Sequence, residues 1–266
     1  MSRVTTKLDD YQDRFDNIRL TRDDEGILLV QLHTEGGDIV WGLRPHEEVA
    51  ACWDYIARDL DNRVVIITGT NETFIHLESI SGEENMAAPD AWWRIHNVGK
   101  RLILSQLDIE VPVIAAVNGH ATVHAEQALI ADIVISAEEA LWADRPHYPA
   151  GLVPGDGVQI IFPLLMGLNR GRYFLLTGQK LTAAEAKEYG LVSEVLPRGQ
   201  VVERAYEIAR QLLQAPNLVL RSSRNLLTHE LRRMFNEGLG YGLAIEGLAG
   251  VEYLTQIGGE IHLDHD

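Results

Sequence analysis

Two titratable side chains, His147 and Asp156, lie in a stretch that is rich in proline and glycine. It runs from Trp142 to Gly157 and reads W-A-D-R-P-H-Y-P-A-G-L-V-P-G-D-G. Its three prolines and three glycines predict a shaped loop with tight turns. A carboxylate that fixes the tautomer of a histidine makes the imidazole a better base toward water. His147 and Asp156 could form such a pair, although Asp156 could equally cap the following helix and His147 could be a solvated loop residue.

The elements that must position this loop alternate between strand and helix. Two β-rich runs within residues 17–35, broken at Asp23–Gly26, predict a hairpin. Short apolar runs predict buried strands at Arg63–Gly69, Glu110–Gly119 and Asp132–Ala137. Helical spacing predicts helices that start near Pro45, cover Ala91–Leu107 and Val123–Ala131, and follow Asp156. This order predicts an α/β protein with crossover connections.

The last part of the chain has a different pattern. From Ser222 onward it is helical without a clear strand signal, so we expect it to pack on the core or on a neighbouring subunit. We therefore divide the chain into an α/β core (1–200), a C-terminal helical region (201–256) and an acidic tail (257–266). We expect the tail to be disordered.

Composition excludes several classes of function. The chain has 266 residues, of which 46% are hydrophobic, enough for a substantial core. Its net charge of -16 repels phosphate backbones and anionic lipid surfaces, so we expect neither a nucleic-acid nor a membrane partner. A single cysteine, Cys52, allows no internal disulfide. The N-terminus lacks the apolar core of a signal peptide, and no apolar run approaches the roughly 20 residues of a spanning helix. We expect a cytoplasmic protein.

Several motifs resemble those of the crotonase, or enoyl-CoA hydratase/isomerase, superfamily. V-P-V-I-A-A-V-N-G-H-A, residues 111–121, is similar to the family's strand and N-G-x-A turn. The loop 142–157 resembles the family's F-A-x-P-E...G-x-x-P-G-x-G segment, and residues 172–196 resemble its L-T-G...A-x-E-A...G-L-V-x-x-V signature. The resemblance implies a crotonase-like spiral of ββα units and a C-terminal helical region that mediates trimers, often paired into hexamers.

The departures from the common acyl-CoA pattern concern the residues that bind and activate the thioester. The family's G-G-G run is Val123, His124 and Ala125 here, and its F-x-A-G-x-D segment is F-I-H-L-E-S without the glycine. His147 replaces the catalytic glutamate of the hydratases. These departures resemble one branch of the superfamily, the β-diketone hydrolases typified by 6-oxocamphor hydrolase.

That branch implies a set of site residues and a reaction. The reaction is cofactor-independent cleavage of a carbon-carbon bond in a cyclic β-diketone by water, a retro-Claisen cleavage that gives a keto acid. His147 would be the base, Asp156 would hold its tautomer, and His124 would donate to an oxyanion or enolate. Glu246 joins them as a candidate catalytic residue of weaker support. The substrate-binding candidates are Trp41 and His46, and no metal or cofactor is implied.

Two other functions stay open. The chain could act on acyl-CoA as a hydratase, isomerase or thioesterase, or it could be a non-catalytic binding protein with a crotonase fold. His76 and His120 are further possible pocket residues. A metal site formed by His120, His124 and Glu126 is disfavoured because His120 precedes the predicted helix. For the favoured function we expect a small cyclic diketone as the partner and a homotrimer or dimer of trimers as the assembly.

Overall fold

The chain folds into a series of short strands and longer helices. Its first strands form one edge of the main sheet. In the computed structural model, residues 5–80, 88–256 and 261–263 are described. Their strands are β1 (Ile18–Arg22), β2 (Ile27–Leu32), β3 (Val40–Trp41), β4 (Val64–Thr68), β5 (Thr73–Ile75), β6 (Leu77–Ile80), β7 (Val113–Val117), β8 (His120–Ala121), β9 (Ile133–Ala137), β10 (Leu141–Trp142), β11 (Leu181–Thr182), β12 (Glu194–Leu196) and β13 (Ile261–Leu263). Their α-helices are α1 (Leu43–Arg58), α2 (Pro89–Leu107), α3 (Glu126–Leu129), α4 (Val158–Met166), α5 (Leu168–Thr177), α6 (Ala183–Glu188), α7 (Arg198–Leu212), α8 (Asn217–Leu227) and α9 (His229–Gln256).

The main sheet has six strands in the order β1-β2-β4-β7-β9-β12. β1 and β2 pair antiparallel, which confirms the predicted hairpin, and every other neighbouring pair in this sheet is parallel. β4 and β7 are buried along their whole length, as expected for apolar strands covered on both faces. The predicted α/β fold with crossover connections is confirmed.

Two smaller sheets lie beyond the ends of β4 and β7. In one of them, the residues that precede β5 and β8 approach each other closely through their backbones. The Asn118 side chain accepts a hydrogen bond from the Gly69 amide at 2.9 Å, which ties the ends of the two strands together. A Cβ on Gly119 would lie 1.6 Å from the Glu72 carbonyl oxygen, so only glycine fits here. The second sheet has the order β11-β10-β8-β5, and the third has the order β13-β6-β3.

Two sequence predictions were wrong in detail. The helix predicted over Val123–Ala131 is only α3, Glu126–Leu129. The amides of Thr122 and Val123 both donate to the Ile75 carbonyl, at 3.0 and 3.2 Å, which holds the preceding segment outside the helix. Part of the tail that was expected to be disordered forms β13, antiparallel to β6. Residues 257–260 and 264–266 of the tail lie outside the described residues.

The last helix of the chain, α9, returns to the core of the protein. α9 packs against α2 and α4, as expected for a helical segment that returns to the core. The contact is close: a Cβ on Gly247 would lie 1.7 Å from the indole nitrogen of Trp92. That indole N-H donates to the Leu243 carbonyl at 3.1 Å, so α9 is fixed in register against α2. In the described part of the chain, no helix combines the length and apolarity needed to cross a membrane.

Candidate active site

A cavity of about 60 Å³ opens where β3, β6, α1, α2 and α9 meet the proline-rich loop. Its wall contains each of the six predicted site residues, although they are spread over more than 200 positions of the sequence. The lining residues are Trp41, Gly42, Leu43, His46, Glu78, Trp92, Ile95, His124, Pro146, His147, Leu152, Asp156, Leu243 and Glu246.

His147 is held in this wall by the backbone of the loop and by a carboxylate that sequence reasoning missed. The amides of Ala150 and Leu152 donate to its carbonyl oxygen, at 2.8 and 2.9 Å. Its ring nitrogen Nδ1 donates to Asp144 Oδ1 at 2.6 Å. Both side chains are buried. Asp144 therefore fixes the tautomer of His147 and leaves Nε2 facing the cavity.

Asp156 has a different position from the one predicted. It does not hold Nδ1 of His147. Its Oδ2 lies 3.5 Å from Nε2 of His147 and 3.2 Å from Nδ1 of His124, so it stands between the two imidazoles. Its Oδ1 also accepts a hydrogen bond from the Val158 amide at 3.4 Å, at the start of α4. The N-cap of α4 is Gly157, so the interpretation of Asp156 as the helix cap is wrong, although its side chain does contact the first residue of the helix.

The charges around His147 and Asp156 stabilise an ion pair. Burial acts to lower the pKa of His147, but Asp144 and Asp156 outweigh burial and raise it well above its usual range. Burial acts to raise the pKa of Asp156, but His147 and His124 outweigh burial and lower it. At neutral pH the resting site therefore contains a negative Asp156 beside a protonated His147.

His124 has a strained backbone conformation, and its side chain is held by the buried carboxylate of Glu126. Its φ is +44°, in the left-handed region that few residues other than glycine adopt. Nδ1 donates to Glu126 Oε1 at 2.7 Å. The imidazole lies against the ring of Trp41, with the ring centroids 4.7 Å apart and the planes tilted by 41°. Burial acts to lower the pKa of His124, but Glu126 and Asp156 outweigh it and raise the value to about 9. His124 is therefore a cationic donor at neutral pH.

His46 and Trp41 face the cavity with polar atoms that lack partners. Within the described residues, neither Nε2 of His46 nor Nε1 of Trp41 has a hydrogen-bond partner. Burial, helped by the nearby cation of His124, lowers the pKa of His46 to about 3, so this ring is neutral. Unpaired polar atoms that are buried on a cavity wall are available to a ligand.

Two glutamates complete the polar wall. Burial raises the pKa of Glu246 to about 8, although His147 acts in the opposite direction. Burial also raises the pKa of Glu78, which no sequence motif singled out. Glu246 is therefore largely protonated at neutral pH, and burial favours the protonated form of Glu78 as well. A protonated carboxyl has an O-H that can donate.

The other histidines considered from the sequence lie elsewhere. His76 and His120 pair with each other, their rings 5.0 Å apart, and neither lines the cavity. His120 Nδ1 accepts from the Leu141 amide at 3.1 Å, which directs it away from His124. Among the described residues, His120 therefore does not join His124 and Glu126 in one cluster of ligand atoms.

A different trio has donor atoms close enough to hold a metal ion. Atoms of His124, Glu126 and Asp156 lie within 4.8 Å of one another. A hydrogen bond from Nδ1 of His124 to Glu126 and an ion pair of the same nitrogen with Asp156 explain this arrangement without an ion.

The residues that sequence reasoning missed differ in how visible they were. Asp144 stands three positions before His147 in A-D-R-P-H, so a carboxylate close to the base was present in the motif. Glu78 lies in a strand that pairs with β3, and only this pairing brings it beside Trp41. Glu78 lies within the F-I-H-L-E-S segment, but the motif assigned no role to that position.

Comparison with solved structures supports the fold. A β-diketone hydrolase from the cyanobacterium Anabaena, bound to (S)-3-oxocyclohexyl acetic acid, is 45% identical and superposes with a TM-score of 0.88, covering 91% of this chain and 97% of that one. An enoyl-CoA hydratase/isomerase from Mycobacterium paratuberculosis is 27% identical with a TM-score of 0.80, covering 90% of this chain and 95% of that one.

Sequence comparison finds relatives whose names refer to CoA substrates. A carnitinyl-CoA dehydratase from Salmonella typhi is 32% identical over 186 residues, 69% of this chain and 70% of that protein. A probable mitochondrial enoyl-CoA hydratase from Dictyostelium discoideum is 28% identical over 202 residues, 73% of this chain and 69% of that protein. The sequence pattern of the Enoyl-CoA hydratase/isomerase family matches residues 26–242. With this match over most of its length, the chain belongs to the enoyl-CoA hydratase/isomerase, or crotonase, family.

Proposed function

We propose that this protein hydrolyses a carbon-carbon bond in a cyclic β-diketone and releases a keto acid. The observation that carries the proposal is the meeting of His147, Asp156 and His124 at one small cavity with unpaired donors in its wall. The likeness to a β-diketone hydrolase at 45% identity supports it.

In the proposed reaction, His147 acts once its Nε2 is free of a proton. It takes a proton from water while the water oxygen forms a bond to one ketone carbon. Collapse of the resulting oxyanion breaks the bond between that carbon and the carbon that separates the two carbonyls. The electron pair passes into an enolate on the second carbonyl, so the reaction needs no cofactor. The imidazolium then protonates the enolate carbon, which yields a carboxylic acid and a ketone.

The donors around the cavity would stabilise the charge that develops on the two oxygens. The cationic His124 and the indole N-H of Trp41 are the two strongest candidates. Loss of one such donor typically lowers kcat by about 10²- to 10³-fold. Asp156, beside both imidazoles, stabilises the imidazolium that forms when His147 takes the proton of water.

The ligand of the Anabaena neighbour suggests a substrate class for this chain. In 3-oxocyclohexyl acetic acid, two ring carbons lie next to the ketone. Joining the acid carbon to the one that is farther from the side chain gives a bridged bicyclic 1,3-diketone. A small cavity of about 60 Å³ fits a compact ring system better than an extended chain. We therefore extend the proposal to compact cyclic diketones, with the bridged bicyclic class included.

The test is cleavage of a panel of monocyclic and bridged bicyclic 1,3-diketones by the native protein and by His147→Ala. Monocyclic substrates are followed by loss of their enol absorbance, and bicyclic ones by chromatography of the keto acid. We expect cleavage by the native protein and a loss of about 10²- to 10⁴-fold in the variant. In labelled water, the water oxygen should enter the product carboxyl group.

The matched control is His229→Ala, which removes an exposed histidine outside the cavity. It should keep native activity. A folded native protein that cleaves no member of the panel would contradict the proposal.

A second function, action on an acyl-CoA, is favoured by one observation, the identity of 32% to a carnitinyl-CoA dehydratase. It predicts tight binding of a CoA thioester, measured by calorimetry. The proposed hydrolase should bind CoA thioesters only weakly, because His124 and its neighbours replace the glycine run of the acyl-CoA pattern.

A further inference from the structure

Glu78 is a cavity residue for which neither the motifs nor the proposed reaction has a role. It lies on β6, where its Cα is the register partner of Trp41 on the parallel strand β3. Register partners on neighbouring strands direct their side chains to the same face of a sheet. Glu78 and Trp41 therefore stand side by side, and both line the cavity.

Each of these two buried side chains has one polar atom without a hydrogen-bond partner among the described residues. Glu78 is only 5% exposed, and Trp41 only 1%. Within the described residues, Oε2 of Glu78 and Nε1 of Trp41 have no hydrogen-bond partner. Buried polar groups in native proteins are normally paired, and an unpaired one destabilises the fold unless a ligand or water satisfies it. Two such atoms on one wall indicate a bound polar group.

The groups that face Glu78 determine its protonation. The carboxyl interacts with His124, from the segment before α3, and with three residues of the proline-rich loop, Asp144, His147 and Asp156. Burial raises the pKa of Glu78, the two aspartates add to that rise, and the two histidines oppose it. The net rise favours the neutral carboxyl, which has an O-H donor that an ionised carboxylate lacks.

We propose that Glu78 is a catalytic residue that donates a hydrogen bond from its protonated carboxyl to a ketone oxygen of the substrate, beside the indole N-H of Trp41. This role rests on the proposed function. In its diketo form a β-diketone carries two acceptors and no donor, so its oxygens need donors from the protein. The two donors would bind the same oxygen, the arrangement of an oxyanion hole.

The role follows from how charge moves during the reaction. The oxygen that Glu78 and Trp41 hold becomes the enolate oxygen when the carbon-carbon bond breaks. Their hydrogen bonds therefore strengthen as the negative charge grows, which lowers the barrier rather than only improving substrate binding. The proton of water passes to His147 and then to carbon, while Glu78 keeps its own proton throughout.

The test compares two substitutions that separate a donor from a charge. Glu78→Gln keeps an N-H donor of similar size, and Glu78→Leu removes the donor. With a diketone that the native protein cleaves, we expect Glu78→Leu to lower kcat by about 10²-fold or more, and Glu78→Gln to keep most of the activity. Circular dichroism and thermal unfolding check that each variant is folded. Glu188→Gln, an exposed glutamate on α6, is the control and should match the native protein.

A second measurement does not depend on turnover. The infrared difference spectrum between the native protein and Glu78→Gln at pH 7 should contain the carbonyl band of a protonated carboxylic acid. A carboxylate band in its place would overturn the proposal. So would a Glu78→Gln variant as inactive as Glu78→Leu, or a folded Glu78→Leu variant with native kcat.

Failure of the proposed function is distinguishable from failure of this inference. A native protein that cleaves no diketone contradicts the hydrolase itself and, with it, the role of Glu78. If the native protein cleaves diketones and the substitutions of Glu78 leave kcat unchanged, only the role of Glu78 is contradicted.

Discussion

His147 is the residue whose protonation decides when the proposed reaction can run. Its buried imidazole is held by Asp144 on Nδ1 and stands near Asp156 on Nε2, and these carboxylates raise its pKa. A base must be unprotonated, so kcat/KM should rise with pH and reach its plateau above the ordinary range of histidine. Because these groups titrate together, the midpoint of the rise belongs to the cluster and not to one side chain.

Asp144→Asn tests the partner that the structure gives to His147. Loss of the negative charge lowers the pKa of the imidazole, so the rise in kcat/KM should shift to lower pH. An amide can also donate to Nδ1 and favour the wrong tautomer, so the plateau should fall by about 10²- to 10⁴-fold. The measurement is the pH profile of kcat/KM. Asp54→Asn, at an exposed position of α1, is the control. An unchanged profile in Asp144→Asn would show that the partner of His147 lies elsewhere.

At the scale of elements, one close approach brings the far end of the chain to the site. α9 passes the proline-rich loop so closely that a Cβ on Gly242 would lie 2.3 Å from the Gly155 carbonyl oxygen. A Cβ on Gly155 would in turn lie 2.4 Å from the Gly242 carbonyl oxygen. This contact places Glu246, one turn further along α9, within 3.7 Å of His147 Nε2.

Two glycines on the same helix give a matched test of that contact. Gly242→Ala should destabilise the protein by about 1–3 kcal/mol, because the added methyl group meets backbone that cannot move freely. It should also lower kcat by displacing Glu246 from His147. At Gly240 a Cβ would lie 3.8 Å from Lys100, an ordinary contact, so Gly240→Ala should be neutral or stabilise α9 by about 1 kcal/mol. Denaturant unfolding measures both, and equal losses in the two variants would exclude this account of the contact.

At the scale of the whole molecule, the buried cluster makes stability depend on pH. The folded-state pKa of His124 is about 9, against 6.5 ordinarily, and that of Glu246 is about 8, against 4.5. Between pH 7 and 9 the folded state therefore binds more protons than the unfolded state. Their stabilising contribution is complete below the unfolded pKa values and is lost as pH rises through the folded ones.

The melting temperature should consequently fall between pH 7 and pH 9. In Glu246→Gln the fall should be smaller, because one of the groups with a raised pKa is gone. The measurement is thermal unfolding across this range, with Glu188→Gln as a control that keeps the native slope. A melting temperature that rises with pH in this window would contradict the charge states assigned to the site.

The assembly of the molecule stays a prediction. Leu226 and Leu227 on α8 and Leu248 on α9 are 77–81% exposed, which suits the expected role of the C-terminal helices in a trimer. Sedimentation of the native protein measures the oligomer directly.

The sequence by itself determined the α/β alternation and the proline-rich loop. These features are local: the apolar spacing of a strand or helix and the turn residues of a loop express themselves within a few positions. Motif resemblance then named Trp41, His46, His124, His147, Asp156 and Glu246, and the fold brings all six to one wall.

Only the tertiary structure decided which groups touch. Spacing along the chain does not fix side-chain direction, so Asp144 rather than Asp156 meets Nδ1 of His147. Glu78 joined the site through the pairing of β6 with β3, and Glu246 through the passage of α9 over the loop. The pKa values belong to the same level, because burial and neighbouring charges exist only once the chain has folded and brought distant segments together.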